Sequence, residues 1–324
     1  MIRFLRQQAW VLGLLALLVV LFIATKIIQP NYGASDFTAL MRAVLPYAFA
    51  VAAQAIVVIG GGIDLSIASM MAVTSVTAAV MMNGASEEFA LVVIPFVLLL
   101  GFAMGALNGI LIVVTRVPDI VVTLAMLFVY QGLALLILGS PGGAAAVWLK
   151  TMIAGTVPIP GVPDWITMWI PNALVLLVVL LAAVWIPLKR SHIGLSIYAI
   201  GSSELAAFRS GVPVARTKII AYGIGGLFAA MGGLALTIST GIGAPIPGPY
   251  LLASVAAVVL GGVVLGGGRG GLVGPIIAVF ILRLLRTDLT LLSVDPNATT
   301  IIEGTIMVVV VMLGAFLTMR GRSS

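Results

Sequence analysis

The stretch Ser202-Ser-Glu-Leu-Ala-Ala-Phe-Arg-Ser-Gly-Val-Pro213 interrupts a sequence that otherwise consists of long apolar runs. It lies within residues 189–218, here called the polar segment, which holds two lysines, three arginines, one histidine and one glutamate. Over all 324 residues the composition is 62% hydrophobic and 8% charged, whereas about a quarter of the residues in ordinary soluble domains are charged. Apolar runs of about 20 residues recur from end to end, each long enough to cross a bilayer. The sequence therefore predicts an all-α, polytopic membrane protein with one transmembrane domain over residues 1–324.

Ten transmembrane helices are predicted from these runs, at 8–28, 44–62, 65–83, 89–115, 119–139, 169–188, 217–240, 250–266, 272–286 and 300–318. With the N-terminus in the cytoplasm, most of the 16 basic residues fall in cytoplasmic segments, as the positive-inside rule requires. They are Arg3, Arg6, Arg116, Lys189, Arg190, Arg209, Arg216, Lys218, Arg269, Arg320 and Arg322. Joining two runs into one helix would invert the topology downstream and place the polar segment outside. We therefore expect both termini and the polar segment in the cytoplasm.

The residue types exclude several function classes. Cysteine is absent, which excludes disulfides, thiolate metal sites and cysteine nucleophiles. The single histidine, His192, lies alone in the polar segment, which favours a surface position in a loop over a role as a ligand or proton carrier. The basic residues are scattered singly along the loops, which favours membrane orientation over nucleic-acid binding. The sequence shows no Ser/His/Asp or metal-binding constellation, so a non-enzymatic function is expected.

Local signals in the polar segment predict one short helix from about Glu204 to Ser210. Ser203 can cap this helix, and Glu204 lies in its positive first turn. Gly211 can end the helix, and Pro213 blocks its continuation.

One narrow face of this predicted helix is apolar, because Leu205, Phe208 and Val212 follow at i, i+3 and i+7. A helix this short is marginal alone in water, so it must pack on something. The local pattern leaves two alternatives open. The helix lies on the surface of its own bundle, or it contacts a partner protein.

A glycine-rich break separates the second and third predicted helices. The sequence Gly60-Gly-Gly-Ile-Asp-Leu-Ser-Ile-Ala-Ser69 contains three consecutive glycines and one carboxylate, Asp64. A carboxylate this near the bilayer is costly and indicates function. Alternatively, Asp64 caps the next helix, where its charge meets the positive N-terminus. The two roles are compatible, because a cap beside a flexible glycine hinge can also be a moving part.

Polar side chains are few within the predicted helices, and the sequence has no ladder of intramembrane acids such as proton-driven pumps use. This favours a pathway that binds a neutral, polar solute weakly over chemistry within the membrane. Polarity and helix breaks select the following candidates for the translocation pathway and its gate: Gln54, Gly61, Gly62, Asp64, Ser66, Ser69, Asn108, Thr123 and Gln131.

Three further segments depart from regular apolar helix. Leu260 to Pro275 is rich in glycine, which lets backbones approach closely, and it lacks the G-x-x-x-x-G-K-[ST] pattern of a phosphate-binding loop. ATP hydrolysis by this chain is therefore not expected. Gly241 to Pro249 contains prolines that exclude regular helix. The tryptophans in the loop from Ser140 to Pro171 indicate either the bilayer interface or a docking or gating surface.

Four blocks of the sequence, in the same order, resemble the permease subunits of bacterial ABC importers of the ribose and monosaccharide type. G-G-I-D-L-S-I-A-S at 61–69 is similar to that family's G-G-I-D-L-S-V-G-S, and Pro118-Asp-Ile-Val-Val-Thr-Leu124 is similar to P-A-F-I-V-T-L. Tyr198 to Lys218 resembles the cytoplasmic Y-A-I-G-G-N-x-x-A-A-R-L-S-G-I segment, and Leu260 to Gly274 resembles L-G-G-x-x-x-x-G-G-x-G-x-x-x-G. The resemblance covers nearly the whole chain.

The chain departs from the family pattern at three places. Asp119 replaces an apolar residue, Gln131 stands where an arginine is usual, and Ser202-Ser203 replaces a Gly-Asn pair.

The resemblance implies a permease that acts as a dimer, either of two identical chains or with a paralogue. Two cytoplasmic ABC ATPase domains would drive it, and a solute-binding protein would deliver a small sugar-like substrate. No cofactor would be held by this chain, because ATP and Mg²⁺ belong to the ATPase subunit. The short helix then resembles the coupling helix that inserts into the ATPase. Its residues are Ser203, Glu204, Leu205, Ala206, Ala207, Phe208, Arg209, Ser210 and Gly211.

The implied location is the bacterial inner membrane, with the lipid bilayer around the chain and no nucleic-acid partner. An ion-coupled secondary transporter of a small neutral solute is the alternative. It predicts uptake without any ATPase, and the lack of buried acids argues against it.

Overall fold

The structure is a computed structural model that describes residues 2–246 and 248–320. This part of the chain is all-helical, and its only β-type pairings are two isolated bridges. The helices are α1 (Ile2–Ile28), α2 (Ala34–Ile59), α3 (Ile67–Met82), α4 (Ala90–Thr115), α5 (Asp119–Ile137), α6 (Val147–Ala154), α7 (Asp164–Thr167), α8 (Asn172–Arg190), α9 (His192–Ser202), α10 (Glu204–Arg209), α11 (Val214–Thr240), α12 (Tyr250–Leu260), α13 (Val273–Leu291) and α14 (Pro296–Arg320). Of the basic residues assigned to the cytoplasm, Arg322 lies outside the described residues, as do the side chains of Arg3, Arg6 and Arg320.

The predicted all-α membrane architecture is confirmed. Each of the ten predicted apolar runs overlaps one helix. Within the described residues, six helices are long and apolar enough to cross a membrane, namely α1, α2, α4, α5, α8 and α11. The helices α3 and α12 are apolar but shorter, with 16 and 11 residues. The predicted run 250–266 ends as a helix at Leu260, because Gly261 follows and Gly262 turns the chain with a φ of 83°.

The helix α2 forms the centre of the bundle. Nearly all its residues from Val44 to Ile59 are buried, and α11, α12 and α13 pack around it. A helix that is apolar and buried on every side, rather than along one stripe, belongs to the interior of a membrane bundle.

Helices α4 and α11 approach each other through glycines. A Cβ added at Gly105 would clash with the carbonyl oxygen of Tyr222, and one added at Gly226 would clash with that of Gly101. Small-residue contacts of this kind bring two backbones together. They bring the turn of α4 that contains Asn108 next to the turn of α11 that contains Tyr222.

The polar segment at 189–218 is helical over most of its length. Helix α9 begins at His192, where Ser191 Oγ accepts the backbone N–H of Gly194 at 3.1 Å. The prediction that His192 lies in a loop is therefore wrong, although its side chain is exposed as predicted. The short helix predicted after α9 is confirmed as α10, one residue shorter than predicted.

At the end of the bundle opposite α10, irregular backbone packs on the last turns of α3. Gly142 and Gly243 form an antiparallel bridge, and Ala144 donates its backbone N–H to the carbonyl of Ala79 at 3.1 Å. The stretch from Gly241 to Pro249 is irregular where it is described, as its prolines predicted. Backbone groups of this stretch form hydrogen bonds within the protein. Irregular backbone is tolerated inside a membrane bundle only where it is buried in protein or lines a water-filled cavity.

The loop from Ser140 to Pro171 contains α6 and α7, which the sequence analysis did not predict. Glu87 Oε2 accepts the backbone N–H of Val147 at 2.7 Å and so neutralises the positive start of α6. Trp148 donates from Nε1 to the Glu87 carbonyl at 2.9 Å, so this tryptophan fastens the loop. Trp165 is exposed, and its role at the bilayer interface or in docking stays a prediction.

Candidate functional site

The segment Gly60–Ser66, here called the hinge, joins α2 to α3. Gly61 has a φ of 86°, a left-handed conformation that glycine adopts without a steric penalty. The N–H of Gly62 donates to the carbonyl of Val57 at 3.0 Å and closes the end of α2. The predicted helix break at the three glycines is therefore present.

Asp64 is fully buried at the centre of a hydrogen-bonded cluster. Its Oδ1 accepts the backbone N–H of Ser66 at 2.8 Å and the Ser66 hydroxyl at 2.6 Å. Asn108 of α4 donates from Nδ2 to Ser66 Oγ at 2.8 Å, and the same nitrogen lies 3.5 Å from Asp64 Oδ2. The N-cap of α3 is Ser66, so the expectation that Asp64 caps this helix is corrected. Asp64 instead orders the turn that precedes the cap.

Helices α4 and α5 hold the hinge from the side. The Tyr130 hydroxyl donates into a pair of acceptors, Asn108 Oδ1 at 3.0 Å and the Met104 carbonyl at 2.9 Å. Thr123 Oγ1 accepts the backbone N–H of Leu65 at 3.1 Å. Tyr130 was not predicted, yet it follows Thr123 by seven residues and shares its buried face of α5. That spacing is the signal that could have found it.

Most of the predicted pathway residues lie in or against this cluster: Gly61, Gly62, Asp64, Ser66, Ser69, Asn108 and Thr123. Two do not. Gln54 lies inside α2, where neither Oε1 nor Nε2 has a hydrogen-bond partner among the described residues. Gln131 is partly exposed and takes no part in the hydrogen bonds of the cluster. Contact of any of these residues with a solute stays a prediction.

Three glycine-containing segments meet where α9 ends. The N–H of Gly268 donates to the carbonyl of Ile59 at 2.8 Å. A Cβ added at Gly267 would lie 2.7 Å from both the Gly61 Cα and the Gly201 carbonyl oxygen, and one added at Gly201 would clash with the Ile59 carbonyl. We call Gly61, Gly201, Gly267 and Gly268 the glycine junction. It ties the residues just before α10 to the hinge and to the α12–α13 loop.

Helix α10 is capped as predicted and presents an apolar face to solvent. Ser203 Oγ accepts the backbone N–H of Ala206 at 3.3 Å. Leu205 is 59% exposed and Phe208 is 68% exposed, whereas Ala207 is buried against the bundle. One side of α10 thus lies on its own bundle, and the other leaves two large apolar side chains uncovered within the described chain.

Two polar contacts join α11 to its neighbours at the same end of the bundle. Lys218 Nζ and Glu204 Oε2 of α10 form an ion pair at 2.8 Å. One turn further along α11, the Tyr222 hydroxyl donates to Asp119 Oδ2 of α5 at 2.9 Å. Gly62 lies against the second contact, because a Cβ added there would be 2.5 Å from each of these two oxygens. Asp119, where the chain departs from the family pattern, therefore touches the hinge.

These contacts link α10, α11 and the hinge mechanically. Tyr198 of α9 adds a further tie, because its hydroxyl donates to the Gly270 carbonyl at 2.8 Å. Burial raises the pKa of the Tyr198 hydroxyl, which keeps it in the protonated, donating form.

In the described part of the chain, no three His, Cys, Asp or Glu side chains converge so as to hold a metal ion.

Comparison with known proteins covers the whole of this region. A family model described as branched-chain amino acid transport system / permease component matches residues 37–311. The ribose import permease protein RbsC of Escherichia coli strain K12 is 31% identical over 313 residues, which cover 94% of each chain. The autoinducer 2 import system permease protein LsrD of Escherichia coli strain K12 is 29% identical over 323 residues, which cover 94% of this chain and 92% of that protein. No solved structure gives a significant match.

The matched residues include the hinge, α10 and all four glycines of the junction. The chain therefore belongs to the family of permease components described as branched-chain amino acid transport systems.

Proposed function

We propose that the chain is the membrane subunit of an ATP-driven ABC importer that takes up a monosaccharide or a related small polar solute. Two relatives that match it along 94% of its length are named as import permeases, one for ribose and one for autoinducer 2. The few polar groups of the hinge cluster suit a neutral solute that is bound weakly and released. The family description names branched-chain amino acids, so the solute class is itself a point for experiment.

One observation carries the coupling role. The exposed apolar face belongs to α10, and Gly201 of α9, three residues before α10 begins, contacts the hinge at the glycine junction. Burial of Leu205 and Phe208 in a groove of a partner would contribute roughly 1.5–3 kcal/mol for each side chain. We assign residues Ser203–Gly211 as the coupling helix for a cytoplasmic ATPase subunit, which would hold ATP and Mg²⁺.

The proposed topology has ten membrane crossings, with α10 and both termini in the cytoplasm of a bacterial inner membrane. The end of the bundle that carries α10 also carries three basic residues from separate parts of the chain, namely Arg116 after α4, Lys189 in the last turn of α8, and Arg269 in the α12–α13 loop. Their clustering at one end supports the cytoplasmic assignment, because cytoplasmic loops are enriched in Lys and Arg. A solute-binding protein would then dock at the opposite end, where the loop from Ser140 to Pro171 lies.

A second permease subunit, identical or paralogous, would complete the transporter. The helix α5 exposes large apolar side chains along its length, including Val121, Phe128 and Leu136. Lipid or a second subunit would cover this surface in the membrane. The hinge cluster would lie near the cytoplasmic mouth of the pathway in each subunit.

Reconstitution tests the coupling role. The chain is placed in proteoliposomes with the ATPase and binding protein encoded beside it, and ATP-dependent uptake of radiolabelled ribose is measured. We expect the Leu205→Ser/Phe208→Ser variant to lose most of its uptake and most of its affinity for the ATPase. The matched control is Leu195→Ser, which changes a leucine of similar exposure, 60%, on the neighbouring α9. Undiminished uptake in the double variant would refute the coupling assignment.

The same liposomes separate the alternatives. An ion-coupled secondary transporter predicts uptake by the permease alone under an ion gradient, whereas the proposal predicts none without the ATPase. The solute class is read from the binding protein, whose melting temperature should rise with ribose or a related sugar. A rise with leucine and none with sugars would move the assignment to branched-chain amino acids.

A further inference from the structure

Asp119 and Tyr222 form a contact that the family resemblance does not account for. Asp119 is the first residue of α5 and follows Pro118, and in the family run quoted above an alanine occupies its place. Tyr222 is buried on α11, and its hydroxyl donates to the Asp119 carboxylate at 2.9 Å. The contact joins two helices that are far apart in sequence, at the same end of the bundle as α10.

The contact also closes the approach to the hinge cluster. A narrow crevice at this end is lined by Gly62, Asp119, Lys218 and Tyr222, and Gly62 lies tightly against the oxygens of the bonded pair. Behind the crevice, Asp64 has no exposed surface. Separation of α5 from α11 at this point would uncover the hinge from the side that carries α10.

A short path connects this contact to α10. Lys218 and Tyr222 lie one turn apart on the same face of α11, and Lys218 is paired with Glu204, the first residue of α10. Glu204 is more than half exposed, so the ion pair itself is weak and can be exchanged for contacts with a partner. A displacement of α10 would break this pair and so change the contacts of the turn of α11 that holds Tyr222.

We propose that the Asp119–Tyr222 pair is a latch that holds the inner ends of α5 and α11 together and opens when the ATPase displaces α10. This proposal rests on the proposed function. Both residues are positioning residues, because they act on the hinge and not on the solute. A hydrogen bond to a charged acceptor shifts a two-state equilibrium by roughly tenfold to a hundredfold, which is enough to set whether the inner mouth rests closed.

The test measures coupling in the complete reconstituted transporter. Wild type, Asp119→Ala, Tyr222→Phe and the double variant are compared for solute imported per ATP hydrolysed and for ATP hydrolysis without binding protein. Asp119→Ala introduces the residue of the family run, so it is expected to fold. Two controls remove the same chemical groups elsewhere. Tyr32→Phe removes a hydroxyl that forms no hydrogen bond with any residue that the structure describes, and Asp164→Ala removes a carboxylate from the loop at the opposite end.

Each single variant should lower the solute imported per ATP about tenfold and raise hydrolysis without binding protein severalfold. The double variant should match the singles, because both changes remove one bond. The controls should match wild type. Two outcomes would overturn the latch. Asp119→Ala would import as much solute per ATP as wild type, or the double variant would lose far more than either single variant. If the Tyr222→Phe variant does not assemble with the ATPase, the result for Asp119→Ala alone decides whether the latch exists. A wild-type complex without ATP-dependent uptake would instead count against the proposed function.

Discussion

The backbone N–H of Gly268 donates to the carbonyl oxygen of Ile59 at 2.8 Å, which bonds the α12–α13 loop to the last residue of α2. That carbonyl belongs to the last turn of a helix, where no intrahelical partner exists for it. Gly201 passes so close to the same oxygen that a side chain would not fit. The glycine junction is thus a contact among backbones, and it exists because side chains are missing there.

Gly201→Ala should destabilise the protein and disturb coupling. The added Cβ would clash with the Ile59 carbonyl and lie 2.5 Å from the Gly268 nitrogen, and both neighbours are backbone atoms that cannot rotate away. Overpacking of this kind costs about 1–3 kcal/mol. Thermal unfolding in detergent should show a melting temperature several degrees lower. The matched control is Gly132→Ala in α5, where the added Cβ would have no described atom within 4 Å other than its own helix backbone. Equal melting temperatures for the two variants would contradict the junction.

Asp64→Ala should destabilise the hinge more than Asp64→Asn. Removal of the carboxylate leaves the buried N–H of Ser66 without an acceptor, at a cost of about 1–3 kcal/mol, whereas the asparagine oxygen can still accept one bond. Melting temperatures should therefore fall in the order wild type, Asp64→Asn, Asp64→Ala. Asp164→Ala is the control, because it removes an exposed carboxylate, and it should change the melting temperature little. Equal losses in the two Asp64 variants would show that the charge, which both remove, rather than the acceptor is what stabilises the hinge.

Gln54→Met should keep or raise the stability of the protein while reducing uptake. Both polar atoms of Gln54 are buried and have no hydrogen-bond partner in the described part of the chain, so replacement by an apolar side chain of similar shape removes a desolvation penalty. If the amide meets the solute during passage, the initial rate of uptake should fall. Asn108→Leu is the contrasting variant, because Asn108 is fully bonded and its loss should lower the melting temperature. A destabilised Gln54→Met variant with normal uptake would remove Gln54 from the pathway.

Ser203→Ala should weaken the attachment of the ATPase through the fraying of α10. Loss of the bond from the Ala206 N–H to Ser203 Oγ costs a helix about 1 kcal/mol, or roughly fivefold in the population of the ordered helix. The dissociation constant for the isolated ATPase should rise by a similar factor. Ser203→Asp retains an acceptor at the N-cap and should restore binding. Weak binding by Ser203→Asp as well would point to the hydroxyl itself as a contact of the ATPase.

The helices were predictable because length and polarity decide them locally. Each apolar run became a helix, and the signals from Ser203 to Gly211 placed α10 within one residue. Helix α9 was missed because charged residues in the polar segment were taken to indicate a loop. Its signal was present in Ser191, a good N-cap residue, and in the apolar side chains at Ile193, Ile197 and Ile200.

The candidate site could be predicted only in part, since its contacts join segments remote in sequence. The structure brings the hinge residues together, and their local signal was clear, because glycines and a lone carboxylate stand out in an apolar sequence. The sequence does not show which segment a glycine packs against, and nothing around Gly201 indicates that it contacts Ile59. Gln54 and Gln131 were grouped with the hinge on polarity alone, and polarity carries no information about which way a helix is rotated.

The shortness of α3 has a consequence for the permeability barrier. With 16 residues, α3 is about 24 Å long, less than the roughly 30 Å of a hydrocarbon core. One end of α3 meets the hinge, and the other meets the irregular backbone around Gly142 and Gly243. In the membrane the hinge and this irregular backbone would both lie below the headgroups, so water would reach each of them from its own face. The transmembrane electric field would then be concentrated across the length of α3, and a neutral cargo would cross that thin layer without electrical work.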